Sequence, residues 1–373
     1  MGGNKRNLRR KLLKTIGAGV LATSIAGCAP TQTKRYWRPY SRKPWAAPKV
    51  SMENVIREVV GLRPYRPGGF VVRSEALGGK TVVHNYGHGG AGITLCWGSS
   101  ALAVRETLGM EHRDVAVIGS GVMGLTSARL LQDAGWNVTI YTRDMARHTT
   151  SNIAGGEWGP YSVHDPDVSS DLFKSQLDFA TRISHHAHTN LGGSDYGIYW
   201  KELWSPNNNP GNDAKVGNFY PFEGTLGPGE HPFPTDYAHH ALTMMVEPAT
   251  FLRRLTADVR LAGGRFMIRN FRDRDELLSL PEPVIFNCTG LGARELFGDE
   301  ELIPAKGQLV FIPPDPAVDF MTLGGGSDNL YMFSRTDVIL LGGTFKPGDW
   351  TTHPEPAETE RIVRENQRLF AGF

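Results

Sequence analysis

Hydrophobic positions recur along this chain at two spacings, every second residue in some stretches and every third or fourth in others, and the changes of spacing mark its elements. Asp114–Ile118 (DVAVI) is a short apolar run that meets Gly119-Ser120-Gly121-Val122-Met123-Gly124, after which 125–134 carries apolar residues at helical spacing. Residues 136–141 (WNVTIY) alternate as a strand does and end at Thr142-Arg143-Asp144. Further helices are predicted over 171–188, 248–262 and 354–370, the second with proline in its first turn. Strands are predicted over 241–246, 265–270, Val284–Asn287, 306–312, 329–333 and 338–341. Residues 207–229, dense in Asn, Gly and Pro, read as a long surface loop. Strands alternating with helices, then clustered strands, predict an α/β fold: a Rossmann-like domain sharing a crevice with a mostly antiparallel sheet domain.

The strand, glycine turn and helix at 114–134, with an acid about 20 residues past the glycines, form the start of a dinucleotide-binding unit. Gly119 permits the tight turn, Gly121 lets backbone approach a pyrophosphate, and Gly124 packs helix on strand, with phosphate charge at the helix N-terminus. Asp144 is placed to accept from ribose hydroxyls. This spacing does not choose FAD over NAD.

A length of 373 residues allows two domains, and 40% hydrophobic with 21% charged residues is ordinary for a globular protein. The 44 glycines exceed the usual ~7%, which indicates close backbone approaches. The net charge of +2 is unevenly spread: residues 1–27 hold six bases and no acid, and the rest hold 34 bases against 38 acids. Nucleic acid is therefore not an expected partner, because phosphate binding needs a concentrated basic face.

The first segment reads as an address. A basic run at 5–14, a small apolar stretch at 16–27 and the ending Ile25-Ala26-Gly27-Cys28 resemble a twin-arginine signal closing in a lipobox, so residues 1–28 form the signal and Cys28 takes the lipid. A membrane anchor or a basic arm is the alternative, but 16–27 is shorter than the ~20 residues of a spanning helix. Residues 29–50 read as a tether, and the expected location is periplasmic or cell-envelope. Twin-arginine export carries folded proteins, often with a cofactor already inserted. Cys96 and Cys288 sit in apolar, glycine-flanked motifs and form no disulfide framework. The histidines at 84, 88, 185, 186, 188, 239 and 240 lack accompanying acid or thiol ligands, so no metal site is expected.

Ahead of the glycine motif stand Gly61-Leu62-Arg63-Pro64-Tyr65-Arg66-Pro67 and the run from His84 to Gly98 (HNYGHGGAGITLCWG). With the run from Thr149 to Trp158, Asn287-Cys288-Thr289-Gly290, Lys306-Gly307-Gln308 and the run from Leu341 to Trp350, they resemble the signatures of the D-amino-acid oxidase family over about residues 52–373. In that family the glycine-motif strand opens the chain, and the GLRP and HNYGHGG segments close it. Here the closing segments come first, so the sequence looks circularly permuted, with the family's last helix, matching 94–108, feeding its first strand through 109–113. The FAD-binding parts then fall at about 80–165 and 264–300, and the substrate-domain parts at about 52–79, 166–263 and 301–373.

The resemblance implies FAD as cofactor. It places the backbone of Ser120, Val122 and Met123 near the pyrophosphate, Arg143 and Asp144 at the adenosine end, and Thr149, Thr150, Gly155 and Gly156 along the phosphates and flavin ring. Gly89, Gly92, Thr94 and Thr289 would surround the flavin from the other side. Arg63 would grip the substrate carboxylate, because a guanidinium gives a planar two-point hold. Tyr331 would donate to the same anion, and the Gly90 carbonyl would receive the amine. The implied reaction is hydride transfer from Cα of a D-amino acid to flavin N5, with dioxygen reoxidising the flavin to give hydrogen peroxide, and the imino acid hydrolysing to a 2-oxo acid and ammonia. A membrane quinone in place of dioxygen, or a binding protein without turnover, are the alternatives. Phe345 stands where aspartate-specific relatives place an arginine, which favours neutral side chains, although Lys346 and Arg335 are close in sequence. The family's lid tyrosine has no counterpart in 313–329, where Gly324-Gly325-Gly326-Ser327 stands. The oligomeric state is not read from the sequence.

Overall fold

The structure is a computed structural model that describes residues 45–209, 219–326 and 329–373; the signal with Cys28, and 29–44, lie outside the described residues. Along the chain the strands are β1 (Arg57–Tyr65), β2 (Val71–Leu77), β3 (Lys80–Tyr86), β4 (Asp114–Ile118), β5 (Asn137–Thr142), β6 (Ile198–Asn207), β7 (Glu223–Leu226) and β8 (Tyr237–Val246). They continue as β9 (Arg265–Ile268), β10 (Val284–Asn287), β11 (Ile303–Ile312), β12 (Phe320–Leu323), β13 (Tyr331–Ser334), β14 (Ile339–Gly342) and β15 (Lys346–Pro347). The helices are α1 (Gly92–Arg105), α2 (Val122–Asp133), α3 (Thr150–Ile153), α4 (Asp171–Asn190), α5 (Pro248–Leu261), α6 (Gly292–Phe297) and α7 (Pro356–Leu369).

One sheet has the order β2-β3-β10-β4-β5-β9, parallel throughout except where β2 meets β3. Its central strands are apolar on both faces, as a covered parallel sheet requires. Val115, Val117, Ile140 and Phe286 pack with α1, α2, α4 and α5, while Ala116, Ile118 and Ile285 pack with Leu277, Leu280 and Leu296. The second sheet has the order β1-β11-β14-β13-β12-β6-β8-β7, with β15 added to β11, and only β6 and β12 pair parallel. Strand periodicity sorts its two faces. Val310, Ile312, Met332 and Leu341 pack with Ile362, Val363 and Leu369 of α7. Leu309, Phe311, Phe333 and Leu340 face the other way, with Val59, Leu203 and Met245.

Three features differ from the expectation. The ten-residue strand β6 is not signalled by the sequence, because its alternation is interrupted by Trp, Lys and Glu, and pairing along the whole length of β8 forms it. The expected surface loop contains β7, held on β8, while 210–218 lies outside the described residues. β2, grouped with the substrate part, instead closes an antiparallel hairpin with β3 around Gly78-Gly79, where Gly78 has φ +56°, and so belongs to the parallel sheet.

Residues 45–50, the described end of the stretch read as a tether, lie against the body. Trp45 meets Trp204, Phe233, Phe320 and Phe373 edge-on, with ring centroids 4.7 to 5.7 Å apart, and the Val50 carbonyl accepts from Gln367 Nε2 at 3.1 Å. Such edge-to-face packing contributes beyond the area it buries. Trp45→Ala is expected to destabilise the fold by about 2 to 3 kcal/mol, less than a fully buried tryptophan because Trp45 is half-buried. Urea unfolding checks this, and an unchanged midpoint would mean that the segment does not dock.

Candidate active site

A cleft of about 630 Å³ runs from the carboxyl ends of β4 and β5 to the inner face of the large sheet. That is within the usual size of ligand pockets, and the carboxyl edge of a parallel sheet is where such folds bind nucleotides. At this end Gly119 has φ +107°, and a side chain there would sit 2.5 Å from the Cys288 carbonyl oxygen. A side chain at Gly124 would lie 2.0 Å from the Gly119 carbonyl oxygen, so α2 packs directly on the turn. Gly121 caps α2 without a side chain, leaving the first turn's N–H groups to other acceptors. Gly121, Val122 and Met123 all line the cleft. The Val122 N–H donates to Ser151 Oγ at 3.1 Å, a contact that sequence reasoning missed within the TTSN run.

Ser120 lines the cleft, but its hydroxyl donates to the Asp144 carbonyl at 2.7 Å and accepts from Thr142 at 3.1 Å, tying the ends of β4 and β5 together. Arg143 Nε and Asp144 Oδ2 pair at 2.7 Å at the exposed rim. Arg269 and Asn270, just past β9, join them there. The sequence marked that strand's end without giving it a role.

Thr149, Thr150 and Gly155 line one wall, and Thr289, Gly89, Gly90 and Gly92 line the other. Gly89 has φ +54°, and a side chain there would meet the Ser162 carbonyl oxygen at 2.2 Å. The same carbonyl accepts from the Gly90 N–H at 3.0 Å. Ser162 itself has φ +52°, a conformation that serine adopts rarely and that indicates local strain beside the site. Helix α1 also begins at the cleft without a side-chain cap.

Three expected residues do not line the cleft. Gly124 packs as described. Gly156, at φ +91°, lies where a side chain would be 2.1 Å from the Val246 carbonyl oxygen. It serves the close pairing of this segment with β8. Thr94 is buried, its hydroxyl donating to the Gly159 carbonyl at 3.1 Å and accepting from the Gly159 N–H at 3.2 Å. Behind this wall the HNYGHGG segment is anchored by a buried polar web. Ser99 Oγ donates to Asn85 Oδ1 at 2.8 Å, Asn85 Nδ2 donates to Ser100 and Ser127 at 3.1 Å each, and His88 Nε2 meets Ser99 Oγ at 2.8 Å. Burial pushes the His88 imidazole down to about 3, so it is neutral. Adjacent serines at 99 and 100 within an apolar helix are the sequence signal for this web.

The large sheet supplies the polar end. Gly61 pairs with Gly307 across β1 and β11, Leu309 with Gly342 across β11 and β14, and Gly342 with Tyr331 across β14 and β13. This register puts Arg63, Gly307, Gly342 and Tyr331 on one face. Side chains on the two glycines would sit 2.4 Å from Arg63 Nη1 and 2.1 Å from Tyr331 Cζ. The guanidinium and the phenol therefore lie flat on bare backbone, and both line the cleft. Arg63 Nη1 donates to the Thr344 carbonyl at 3.3 Å, and its Cζ lies 5.9 Å from the Phe345 ring centre. Among the described residues no carboxylate pairs with Arg63, unlike Arg66, which bonds Asp299 at 3.0 Å. Burial raises the Tyr331 hydroxyl's pKa, and the neighbouring Arg63 charge opposes that rise. An unpaired cation beside a phenol, at the end of a cleft that begins in a dinucleotide cradle, is equipped to hold a small anionic ligand against a bound nucleotide cofactor.

Comparison with known proteins agrees. Residues 114–373 match the family model described as FAD dependent oxidoreductase, DAO. A D-amino-acid oxidase of Streptomyces coelicolor is 31% identical over 265 residues, covering 68% of this chain and 77% of the relative. A D-amino acid oxidase of Dugesia ryukyuensis is 25% identical over 266 residues, covering 69% and 78%. In fold, glycine oxidase of Geobacillus kaustophilus superposes with a TM-score of 0.54 at 17% identity, over 70% of this chain and 79% of that one. The chain belongs to the DAO family of FAD-dependent oxidoreductases, and FAD is its cofactor.

Proposed function

We propose that this protein oxidises D-amino acids to 2-oxo acids and ammonia, producing hydrogen peroxide. The observation that carries the reading is the Arg63 guanidinium, with no carboxylate partner among the described residues, lying with Tyr331 on the glycine-floored face of the cleft. The two relatives reported above, both D-amino-acid oxidases by name, support the substrate class. The close backbone approach at Gly119 and Gly121 and the first turn of α2, where Gly121 offers no capping side chain, fit the pyrophosphate of FAD. Thr149, Thr150, Gly155, Gly89, Gly92 and Thr289 would hold the rest. When bound, FAD supplies the two-electron acceptor for the Cα hydride and passes the electrons to dioxygen.

This chain's residues bind and orient. Arg63 holds the substrate carboxylate at two points, Tyr331 donates a third hydrogen bond to it, and the Gly90 carbonyl receives the amine. Those contacts fix which face of Cα is presented, and the neutral amine leaves no proton for a side-chain base to remove. The two cations near Phe345 in sequence are already paired and do not await a second carboxylate. Lys346 is held by Glu355 at 2.8 and 2.9 Å, and Arg335 by Asp337 at 2.8 and 2.9 Å. Neutral side chains are thus favoured over acidic ones.

We also read the chain as circularly permuted within its family. The family match begins at the first residue of β4, yet β1 and β3, both outside it, pair in register with the matched strands β11 and β10. β1 contributes Arg63. The Trp45 and Phe373 rings are 5.7 Å apart, so the stretch ahead of β1 lies against the stretch after α7, the two that the family's order would join. Export with lipidation of Cys28 completes the proposal, and in a membrane-held enzyme a quinone is the alternative electron acceptor.

Anaerobic mixing of the FAD-loaded protein with a panel of D-amino acids should bleach the yellow absorbance, and readmitted oxygen should restore it with peroxide formed. Bleaching without peroxide would favour the quinone, and no bleaching by any D-amino acid would refute the function. Arg63→Ala should raise the substrate concentration needed for bleaching by at least about 100-fold while the protein stays yellow. A back-permuted chain that begins at Asp114, joins Phe373 to Trp45 through a short flexible linker and ends at Leu108 should fold and bind FAD. A colourless product would count against the permutation.

A further inference from the structure

We infer that Glu157 sets side-chain specificity, pairing its carboxylate with a cationic terminus, an ammonium or guanidinium, on the substrate side chain. The inference rests on the D-amino-acid reading and extends it from neutral to cationic side chains. Its starting point is placement. Glu157 bridges antiparallel to Met245 of β8, so the two side chains share a face. That face is the one carrying Leu309, Phe333 and Tyr331. Two residues earlier, Gly155 lines the cleft, with Phe333 standing 2.9 Å from where a side chain would begin. Four residues later, the Tyr161 carbonyl oxygen lies 3.3 Å from the same point on Gly90. Glu157 is thus flanked by the wall that leads to the carboxylate clamp and by the wall that receives the amine. With both of those substituents of Cα held, the inference directs the third toward Glu157, which stands just behind the residues that line the cleft.

The surroundings of Glu157 behind that lining are acidic and hydroxylic. Glu157 Oε1 is buried without a hydrogen-bond partner among the described residues. Tyr161 and Tyr220, which both feel the Glu157 charge, share a 2.6 Å hydroxyl contact. Glu223 adds a second negative charge near Tyr220. Burial alone lifts the Glu157 carboxyl to about 8, with no cation opposing it. An unpartnered buried carboxyl is costly, and a pocket meant only for hydrocarbon would be better served by leucine. A cation brought by the ligand favours the ionised carboxylate and pairs with it, whereas an acidic substrate finds no such partner there.

The test compares D-lysine and D-arginine with D-norleucine, which matches lysine in chain length but lacks its charge, on the FAD-loaded protein. Wild type is expected to show a higher kcat/KM for a cationic substrate than for D-norleucine, and the reverse order overturns the inference without any variant. Glu157→Gln should lower kcat/KM for the cationic substrates at least about 30-fold, chiefly through KM, and leave D-norleucine within about 3-fold. Glu157→Leu should improve D-norleucine. An equal loss on all substrates would make Glu157 a structural residue and overturn the inference. If neutral D-amino acids bleach the flavin but the cationic ones gain nothing from Glu157, only the specificity assignment falls. If no D-amino acid bleaches it, the reading of the reaction falls and this inference with it.

Discussion

Two glycines in neighbouring strands of the large sheet are the constraint on which the polar end of the site depends. Gly307 on β11 and Gly342 on β14 leave bare backbone where any side chain would stand within 2.4 Å of the Arg63 guanidinium or the Tyr331 phenol. The arginine can therefore lie flat and half-buried, with no carboxylate partner among the described residues, at a position where a charge is normally neutralised. Half-burial without a counter-ion is tolerable only if solvent or a ligand supplies the missing interactions. Backbone also governs the other end of the cleft, since Gly119 and Gly121 present main chain rather than side chains there, and Gly124 lets α2 pack on the turn behind them. One device, side-chain absence, thus prepares both halves.

Much of this was legible in the sequence. The apolar run of β4, the glycines and the alternation of β5 are local signals with one physical reading, and the helices α4, α5 and α7 follow from spacing alone. Arg63 and Tyr331 were legible only through a family resemblance, because 268 positions separate them and nothing local says that β1 and β13 lie three strands apart in one sheet. Thr94 and Gly156 match the same motifs, yet their contacts are with Gly159 and β8. A motif does not tell whether a small residue faces the ligand or supports the residue that does.

What the sequence concealed is mostly tertiary. β6 and β7 exist because β8 offers both its edges, and no property of 198–207 or Glu223–Leu226 alone requires a strand. The web joining Asn85, His88, Ser99, Ser100 and Ser127 depends on β3, α1 and α2 meeting. In these buried surroundings each polar group needs a partner, so the web holds the HNYGHGG segment in one conformation. Order along the chain matters less than these contacts. β1 and β3 come before the glycine motif in sequence, yet they complete the two sheets that meet at the cleft.

The most direct measurement is the affinity of a simple 2-oxo acid, read from its perturbation of the bound flavin's absorbance, in wild type and in Gly307→Ala. One methyl group at position 307 meets the guanidinium and should weaken binding at least about 10-fold while FAD stays bound. Equal affinity in the two proteins would contradict the account, because the anion would then not be held by an arginine lying on that glycine.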